Sequence, residues 1–219
     1  MLTQRWKLMA GLLAGLACGA LATSAARADD NPWDAGSNWM YVRAGLARSA
    51  SQGAGNAGAG YGIGFRHVLR PSKVNNWKVL GIKPLGLLHW TVFKDWSIGG
   101  FVEYNTLGRF GSASDIEIPA ALEMTHFIGW KSAAKPYVTL GVGPHLRKLY
   151  NTGADFSNVR TSGFIAAGFD APVSSNQMLG FDVRMARVQS ENKPVNPVFG
   201  GGSFESSHWS LKLSYSIVY

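Results

Sequence analysis

The last fourteen residues, 206–219, carry the clearest alternation of large apolar and small or polar positions in the chain. From Trp209 onward every second residue is large and apolar, and this set is Trp209, Leu211, Leu213, Tyr215, Ile217 and Tyr219. A period of two predicts a β-strand. About ten alternating residues with aromatic ends are typical of a strand that crosses a bilayer, with lipid on one face and a polar barrel interior on the other. A strand of a soluble sandwich is the alternative.

The same alternation recurs upstream and predicts an all-β chain. Strands are predicted over residues 39–48, 59–69, 96–107, 115–130, 136–148, 161–172, 178–189 and 206–219. Counted back from the carboxy-terminus, the connections are 191–205 (long), 174–177 (short), 150–159 (long), 131–135 (short), 108–115 (medium) and 94–95 (short). This alternation of lengths is typical of an up-and-down antiparallel transmembrane β-barrel. We expect eight strands, and ten if residues 70–95 supply two more.

The amino-terminus has the pattern of a secretory signal peptide. Arg5 and Lys7 precede an apolar run, and small residues around Ala26 and Ala28 follow it, so we expect cleavage after Ala28. A membrane anchor is the alternative, but the run is short for a spanning helix. Residues 1–28 are then the signal peptide, 29–38 a loose periplasmic lead and 39–219 the barrel domain.

Removal of the signal peptide changes the amino-acid composition of the exported protein. The mature 191 residues contain no cysteine, because Cys18 leaves with the signal peptide, so disulfides and thiolate metal sites are excluded. The remaining 18 Lys and Arg exceed the 13 Asp and Glu only modestly, which gives no reason to expect nucleic acid as a partner.

The face opposite the apolar one carries charges in mid-strand. Because buried charges must be paired, and small barrels are filled by side chains, these residues predict an internal salt-bridge network. The acids Glu103, Glu117 and Glu123 could instead form a catalytic or metal cluster. We expect pairing, with no cofactor and no metal, because no histidine is seen to share their phase and His126 is assigned to the outer face. The full set is Arg43, Arg66, Glu103, Glu117, Glu123, Asp170, Asp182, Arg184 and Lys212.

Two positions at strand ends are candidates for surface chemistry. Arg147 and Lys148 stand at the outer end of a predicted strand, where they could contact the phosphates of lipopolysaccharide, or could be a solvated rim. His208 is assigned to the external lip of the closing strand.

Residues 135–143, KPYVTLGVG, and the aromatic-terminated last strand resemble the small bacterial outer-membrane β-barrels of the outer-membrane protein A and opacity-protein type. The resemblance implies a barrel embedded in the outer membrane of a Gram-negative bacterium and inserted by the barrel-assembly machinery. We expect a monomer. The resemblance implies no shared catalytic residues. The expected role is therefore non-enzymatic: structural, surface-interacting or adhesin-like.

A weaker resemblance links the chain to the lipid A deacylase barrels, which carry a His-x-Ser on one strand and a Glu after the following loop. Ser190 and Glu205 occupy similar places, but Val188 replaces the histidine. His208 and Ser210 restore the spacing on the last strand, with Glu205 before them. Because a serine nucleophile needs an adjacent base, a lipid A-modifying hydrolase is kept only as an alternative, beside a narrow channel.

Overall fold

The structure, a computed structural model, is an antiparallel barrel closed by eight strands. It describes residues 32–50, 57–73, 91–92, 94–110, 113–129, 134–150, 156–188 and 207–219. The predicted signal peptide, Ser190 and Glu205 lie outside these ranges. The predicted fold and the count of eight are confirmed.

Each barrel strand alternates buried and outward-facing residues, as the sequence pattern requires. The strands are β1 (Asn38–Ser49), β2 (Gly58–Val68), β3 (Ser72–Lys73), β4 (Thr91–Val92), β5 (Trp96–Phe110), β6 (Ala113–Phe127), β7 (Lys135–Tyr150), β8 (Phe156–Ser174), β9 (Gln177–Val188) and β10 (His208–Val218). Around the wall the order is β1-β10-β9-β8-β7-β6-β5-β2, and β3 with β4 forms a separate two-stranded sheet.

The closing strand β10 pairs with β1 and so joins the two ends of the barrel sheet. Trp39 lies opposite Val218, and Ser49 lies opposite His208. Asn38 N and Tyr219 O, and Tyr219 N and Asn38 O, are 3.2 and 2.9 Å apart. We call the end of the barrel that holds these termini the floor, and the opposite end the mouth.

An apolar cluster closes the floor. Its buried members are Trp39, Val68, Phe127, Tyr137, Met178 and Val218, and Trp33 packs against them. The Trp39 indole donates a hydrogen bond to Pro32 O at 2.8 Å, and Gly36 N donates to Val68 O at 2.8 Å. The expectation of a loose lead is therefore wrong for residues 32–37, because this segment is bonded to the floor.

Two connections differ from the predicted ones. The chain leaves the barrel at Val68 and returns at Trp96, so a long connection stands at the floor end, where only short turns were expected. Of residues 85–93, where an extra barrel strand was considered, the structure describes 91–92, and these pair with residues 72–73 in the separate two-stranded sheet. At the mouth, β5 and β6 pair as far as Phe110 and Ala113, so residues 108–110 and 113–115 of the predicted loop are strand.

The glycines of β2 make room for large side chains in the lumen. A side chain on Gly64 would collide with the ring of Tyr41, and one on Gly60 would collide with the Lys212 amine. Glycine at these positions thus lets β2 stand close to the interior residues of its neighbours.

Among the described residues, no helix is long and apolar enough to span a membrane.

Candidate functional site: the filled lumen

Eight buried charges meet at mid-height of the lumen, and we call them the central network. Four are acids and four are bases, and each is at most 5% exposed. They come from seven strands, so their contacts cross the interior. The members are Arg43, Arg66, Glu103, Glu123, Asp170, Asp182, Arg184 and Lys212.

Glu103 contacts three cations. Its Oε1 is 3.1 Å from Arg43 Nη1 and 3.3 Å from Arg184 Nη1, and its Oε2 is 3.4 Å from Lys212 Nζ. Lys212 Nζ also donates a hydrogen bond to Asn105 Oδ1 at 2.6 Å. Because β5 and β9 stand opposite each other in the barrel, the contact between Glu103 and Arg184 spans the lumen.

Glu123 organises the half of the network nearer the floor. Its Oε1 accepts hydrogen bonds from Arg66 Nε and from the Tyr41 hydroxyl, both at 2.9 Å. Arg66 reaches on to Asp170 Oδ2 at 3.1 Å. Asp182 is bound more loosely, with its Oδ2 3.9 Å from Arg43 Nη1. These ion pairs offset charges that are buried from water, while Glu123 Oε2 and Asp182 Oδ1 are buried without a hydrogen bond among the described residues.

Aromatic rings pack against the arginines and fill the remaining space. The Arg43 guanidinium lies 4.3 Å from the Tyr41 ring centre. Arg184 lies 4.3 Å from the ring centre of Phe101 and 4.2 Å from that of Phe164. Such contacts are favourable for desolvated cations. The described interior is therefore packed with side chains, as expected for a small barrel.

Glu117 lies apart from the central network, nearer the mouth, where two histidines face it. Glu117 Oε1 contacts His145 Nε2 and is 3.1 Å from His208 Nδ1. All three residues are at most 3% exposed. The placement of His208 at the external lip is wrong, because the alternation of β10 turns it inward. The statement that no histidine shares the phase of the acids is also wrong.

Arg147 points into the lumen and cannot serve as the predicted lipopolysaccharide contact. Its Nε and Nη2 donate to the two carboxylate oxygens of Asp115 at 2.9 and 2.5 Å. Lys148 is the next residue on β7 and therefore faces outward. The sequence analysis missed Asp115 because it assigned residues 108–115 to a loop. His145 was missed although it continues the inward phase of Tyr137.

The described part of the alternative catalytic set does not face the membrane. His208 and Ser210 both point into the packed lumen, and Ser210 is 1% exposed. Among the residues that the structure describes, none forms a hydrogen bond with the Ser210 hydroxyl. Among the described residues, no three or more His, Cys, Asp or Glu side chains are arranged to hold a metal ion.

The outer face is apolar over the middle of the barrel. Met40, Leu122, Met185 and Leu213 are among its well-exposed residues. The closing strand contributes Trp209, Leu211, Leu213, Tyr215, Ile217 and Tyr219, all on the outward phase. At about 3.3 Å per residue and the usual strand tilt, Trp209 and Tyr219 are separated by about 25 Å in height, the height of the apolar band of outer-membrane barrels.

Charged residues on the outward phase of the described strands are all basic and all near the mouth. They include Arg48, Lys148 and Arg187, close to the ends of β1, β7 and β9. Aromatic or imidazole rings mark the floor side instead, where Trp96 and His126 stack with ring centres 4.7 Å apart. His126 thus occupies the outer face to which the sequence analysis assigned it.

Comparison with solved structures identifies the class of fold. The crystal structure of Neisserial surface protein A (NspA) has a TM-score of 0.58 at 11% identity, over 84% of this chain and 99% of that one. Ail, the attachment invasion locus protein of Yersinia pestis, has a TM-score of 0.49 at 11% identity, over 85% and 100%. The N-terminal barrel domain of Pseudomonas aeruginosa OprF has a TM-score of 0.47 at 12% identity, over 84% and 99%.

No family model and no curated protein sequence matches the chain. The likeness to solved structures at these identities concerns the fold alone. That fold is the one shared by small eight-stranded outer-membrane barrels of the outer-membrane protein A and opacity-protein type, so the predicted resemblance is confirmed.

Proposed function

We propose that this chain is an integral protein of the outer membrane of a Gram-negative bacterium, with a structural, surface-interacting role and a lumen closed to solutes. The observation that carries the proposal is the combination of an apolar outer band with an interior filled from floor to mid-height by paired charges and rings. A barrel filled in this way is a scaffold for its loops and its outer surface. An adhesin-like role would belong to the mouth, most of whose loops lie outside the described residues.

Location is tested by fractionating cells that express the full chain. We expect the protein in the outer membrane, and we expect the unheated protein to migrate differently from the boiled protein in detergent gels. Recovery of the mature protein in the soluble periplasm would contradict the proposal.

Lipopolysaccharide is the partner that the outer surface favours. Arg48, Lys148 and Arg187 stand at the edge of the apolar band, on the side where Trp209 also lies. Arginine and lysine are the usual partners of phosphate groups. The described outward positions include these basic residues and no acid, so they can bind the phosphate groups of the outer leaflet.

This partner is tested with the double variant Arg48→Gln/Arg187→Gln in detergent. We expect purified lipopolysaccharide to stabilise the wild-type barrel against heat, and to stabilise the variant less, with a smaller effect at high salt. Arg70→Gln, an exposed position at the floor end, is the matched control and should behave as wild type. Equal stabilisation of all three proteins would contradict the proposal that lipopolysaccharide binds these residues.

We further propose that the barrel is not an enzyme. The inward direction of His208 and Ser210 supports this proposal, because a serine that attacks an acyl ester must be reachable from the substrate. Mass spectra of lipid A from cells with and without the gene should be identical. A loss of acyl chains that depends on Ser190 or Ser210 would establish the hydrolase instead.

A further inference from the structure

A groove on the outer face of the barrel crosses β2, β5, β6 and β7. Its volume is about 580 Å³, within the roughly 300–1,000 Å³ of sites that hold small ligands. Gly100 and Ala120 lie at its bottom because they carry almost no side chain. The Phe65 ring and the Leu122 side chain rise beside Gly100, 3.4 and 3.5 Å from the place that a Cβ on Gly100 would take. The groove is therefore a dent with apolar sides in the band that faces lipid.

The line from Gly100 to Ala120 runs close to the membrane normal. Val102 pairs with Ala120, so Ala120 lies one strand over from Gly100 and two residues nearer the mouth. At about 4.8 Å between strands and about 3.3 Å per residue, this line makes about 36° with the strand direction. Strands of outer-membrane barrels are tilted by about 35–45°. Here they lean the opposite way, because the register climbs from Met40 near the start of β1 to Val142 in the middle of β7. The two angles cancel, so the groove is parallel to the acyl chains of the surrounding lipid.

Polar groups mark the end of the groove nearer the mouth. Tyr61 and Tyr104 face outward on β2 and β5, on the mouth side of the groove, and their rings stack with centres 5.2 Å apart. Outward tyrosines are typical of the level at which hydrocarbon meets headgroups. Lys148 faces outward on β7, four residues beyond Pro144, which lines the groove. At about 3.3 Å per residue and the usual tilt, Lys148 is about 10 Å higher than Pro144. A cationic group thus stands above an apolar groove, as a lipid phosphate stands above its acyl chains.

We propose that the groove holds one acyl chain of lipopolysaccharide, whose phosphate end is bound at Lys148. This inference rests on the proposed lipopolysaccharide partner and adds a site for the apolar part of that molecule. The chain comes from the leaflet on the mouth side, because Pro144 is four residues from Lys148 and nine from Lys135 at the floor. Pro144 lies about 22 Å above Lys135 by the same measure, which is past the middle of a hydrocarbon core of about 30 Å.

Packing rather than the expulsion of water decides the affinity of such a site, because lipid tails are as apolar as the barrel wall. A chain in the groove gains dispersion contacts at its sides as well as underneath, whereas a chain on a convex part of the wall is contacted from one side. A side chain that fills the groove should therefore remove the site and leave Lys148 and the other basic residues of the outer face in place.

The experiment is native mass spectrometry of the purified, folded protein, loaded in detergent with a mixture of hexa-acylated, bisphosphorylated lipid A and phosphatidylglycerol. We expect the wild type to retain one lipid A in preference to phosphatidylglycerol. Ala120→Leu, which fills the groove, should retain about fivefold less lipid A, because the packing contacts are lost. Leu122→Ala, which removes one side of the groove, should also weaken retention. The matched controls are Ala167→Leu and Leu213→Ala, both exposed on the outer face of other strands, and they should behave as wild type.

Each contrary result has a distinct meaning. Equal retention of lipid A by the wild type, Ala120→Leu and Leu122→Ala would overturn the groove as a site and leave the lipopolysaccharide partner standing. Retention of phosphatidylglycerol as strong as that of lipid A would overturn the assignment of the occupant. Dimers that disappear in Ala120→Leu would make the groove an interface between two copies of the chain instead. Failure of every variant and of the wild type to retain lipid A would contradict the lipopolysaccharide partner, and this inference with it.

Discussion

Replacing Glu103 with glutamine removes one charge from the central network while keeping the shape of the side chain. Three cations contact this carboxylate, at 3.1 Å (Arg43), 3.3 Å (Arg184) and 3.4 Å (Lys212). Without its charge, three acids remain to balance the four bases of the central network. Removing one partner of a buried ion pair costs about 3–5 kcal/mol, because the other charge stays buried without compensation.

The loss does not fall equally on the three cations. Arg43 keeps Glu123 at 3.9 Å and Asp182 at 3.9 Å, and Arg184 keeps Glu123 at 3.8 Å. Among the described residues, Lys212 contacts no second carboxylate and would depend on Asn105. We therefore expect most of the destabilisation to come from Lys212.

A double-mutant cycle isolates that contribution. Lys212→Met removes the base that loses most, and Glu103→Gln/Lys212→Met restores equal numbers of acids and bases in the network. We expect the double variant to be less destabilised than the sum of the single variants, with a coupling energy of about 2 kcal/mol.

The assay is the free energy of unfolding in urea, measured in lipid vesicles by tryptophan fluorescence and by the gel shift. Lys135→Met, at the floor and stacked on Trp33, controls for the loss of a lysine outside the network. A Glu103→Gln variant within 1 kcal/mol of wild type, or additive effects in the cycle, would refute the reasoning that the network is held together by charge balance.

Three further changes test other contacts in the lumen by the same unfolding assay. Tyr41→Phe removes the hydrogen bond to Glu123 and should cost about 1.5–3 kcal/mol, whereas Tyr215→Phe on the outer face should cost little. Gly64→Ala should cost about 1–3 kcal/mol because the added methyl meets the Tyr41 ring, and Gly163→Ala, which has space, should not. Trp39→Ala should cost about 3–5 kcal/mol by opening the floor, and a stability close to wild type would show that the floor cluster is not closely packed.

Alternation along single strands was sufficient to predict the barrel and the direction of most side chains. Alternation is reliable here because each residue of such a strand faces either lipid, which requires an apolar side chain, or the packed interior. Glu103, Glu123, Asp170 and Arg184 could be assigned to the interior in this way. Their pairing partners could not, since Glu103 and Arg184 are 81 residues apart and meet only when the barrel closes.

The errors arose where a strand runs on beyond its regular pattern. Residues 108–115 were assigned to a loop, so Asp115 was not assigned to the interior and was not recognised as the partner of Arg147. His208 was judged by its place at the start of a strand rather than by its parity with Lys212. The connection from 69 to 95 could not be placed from its length, because the rule that floor turns are short does not hold there.

Recording ion current across a planar bilayer that contains the purified, folded barrel tests the central claim most directly. A lumen filled by the central network and closed by the floor cluster should produce no regular conductance steps at either polarity. Reproducible steps whose size changes in Glu103→Gln or Trp39→Ala would show that ions pass through the lumen, and would contradict the proposal of a closed barrel.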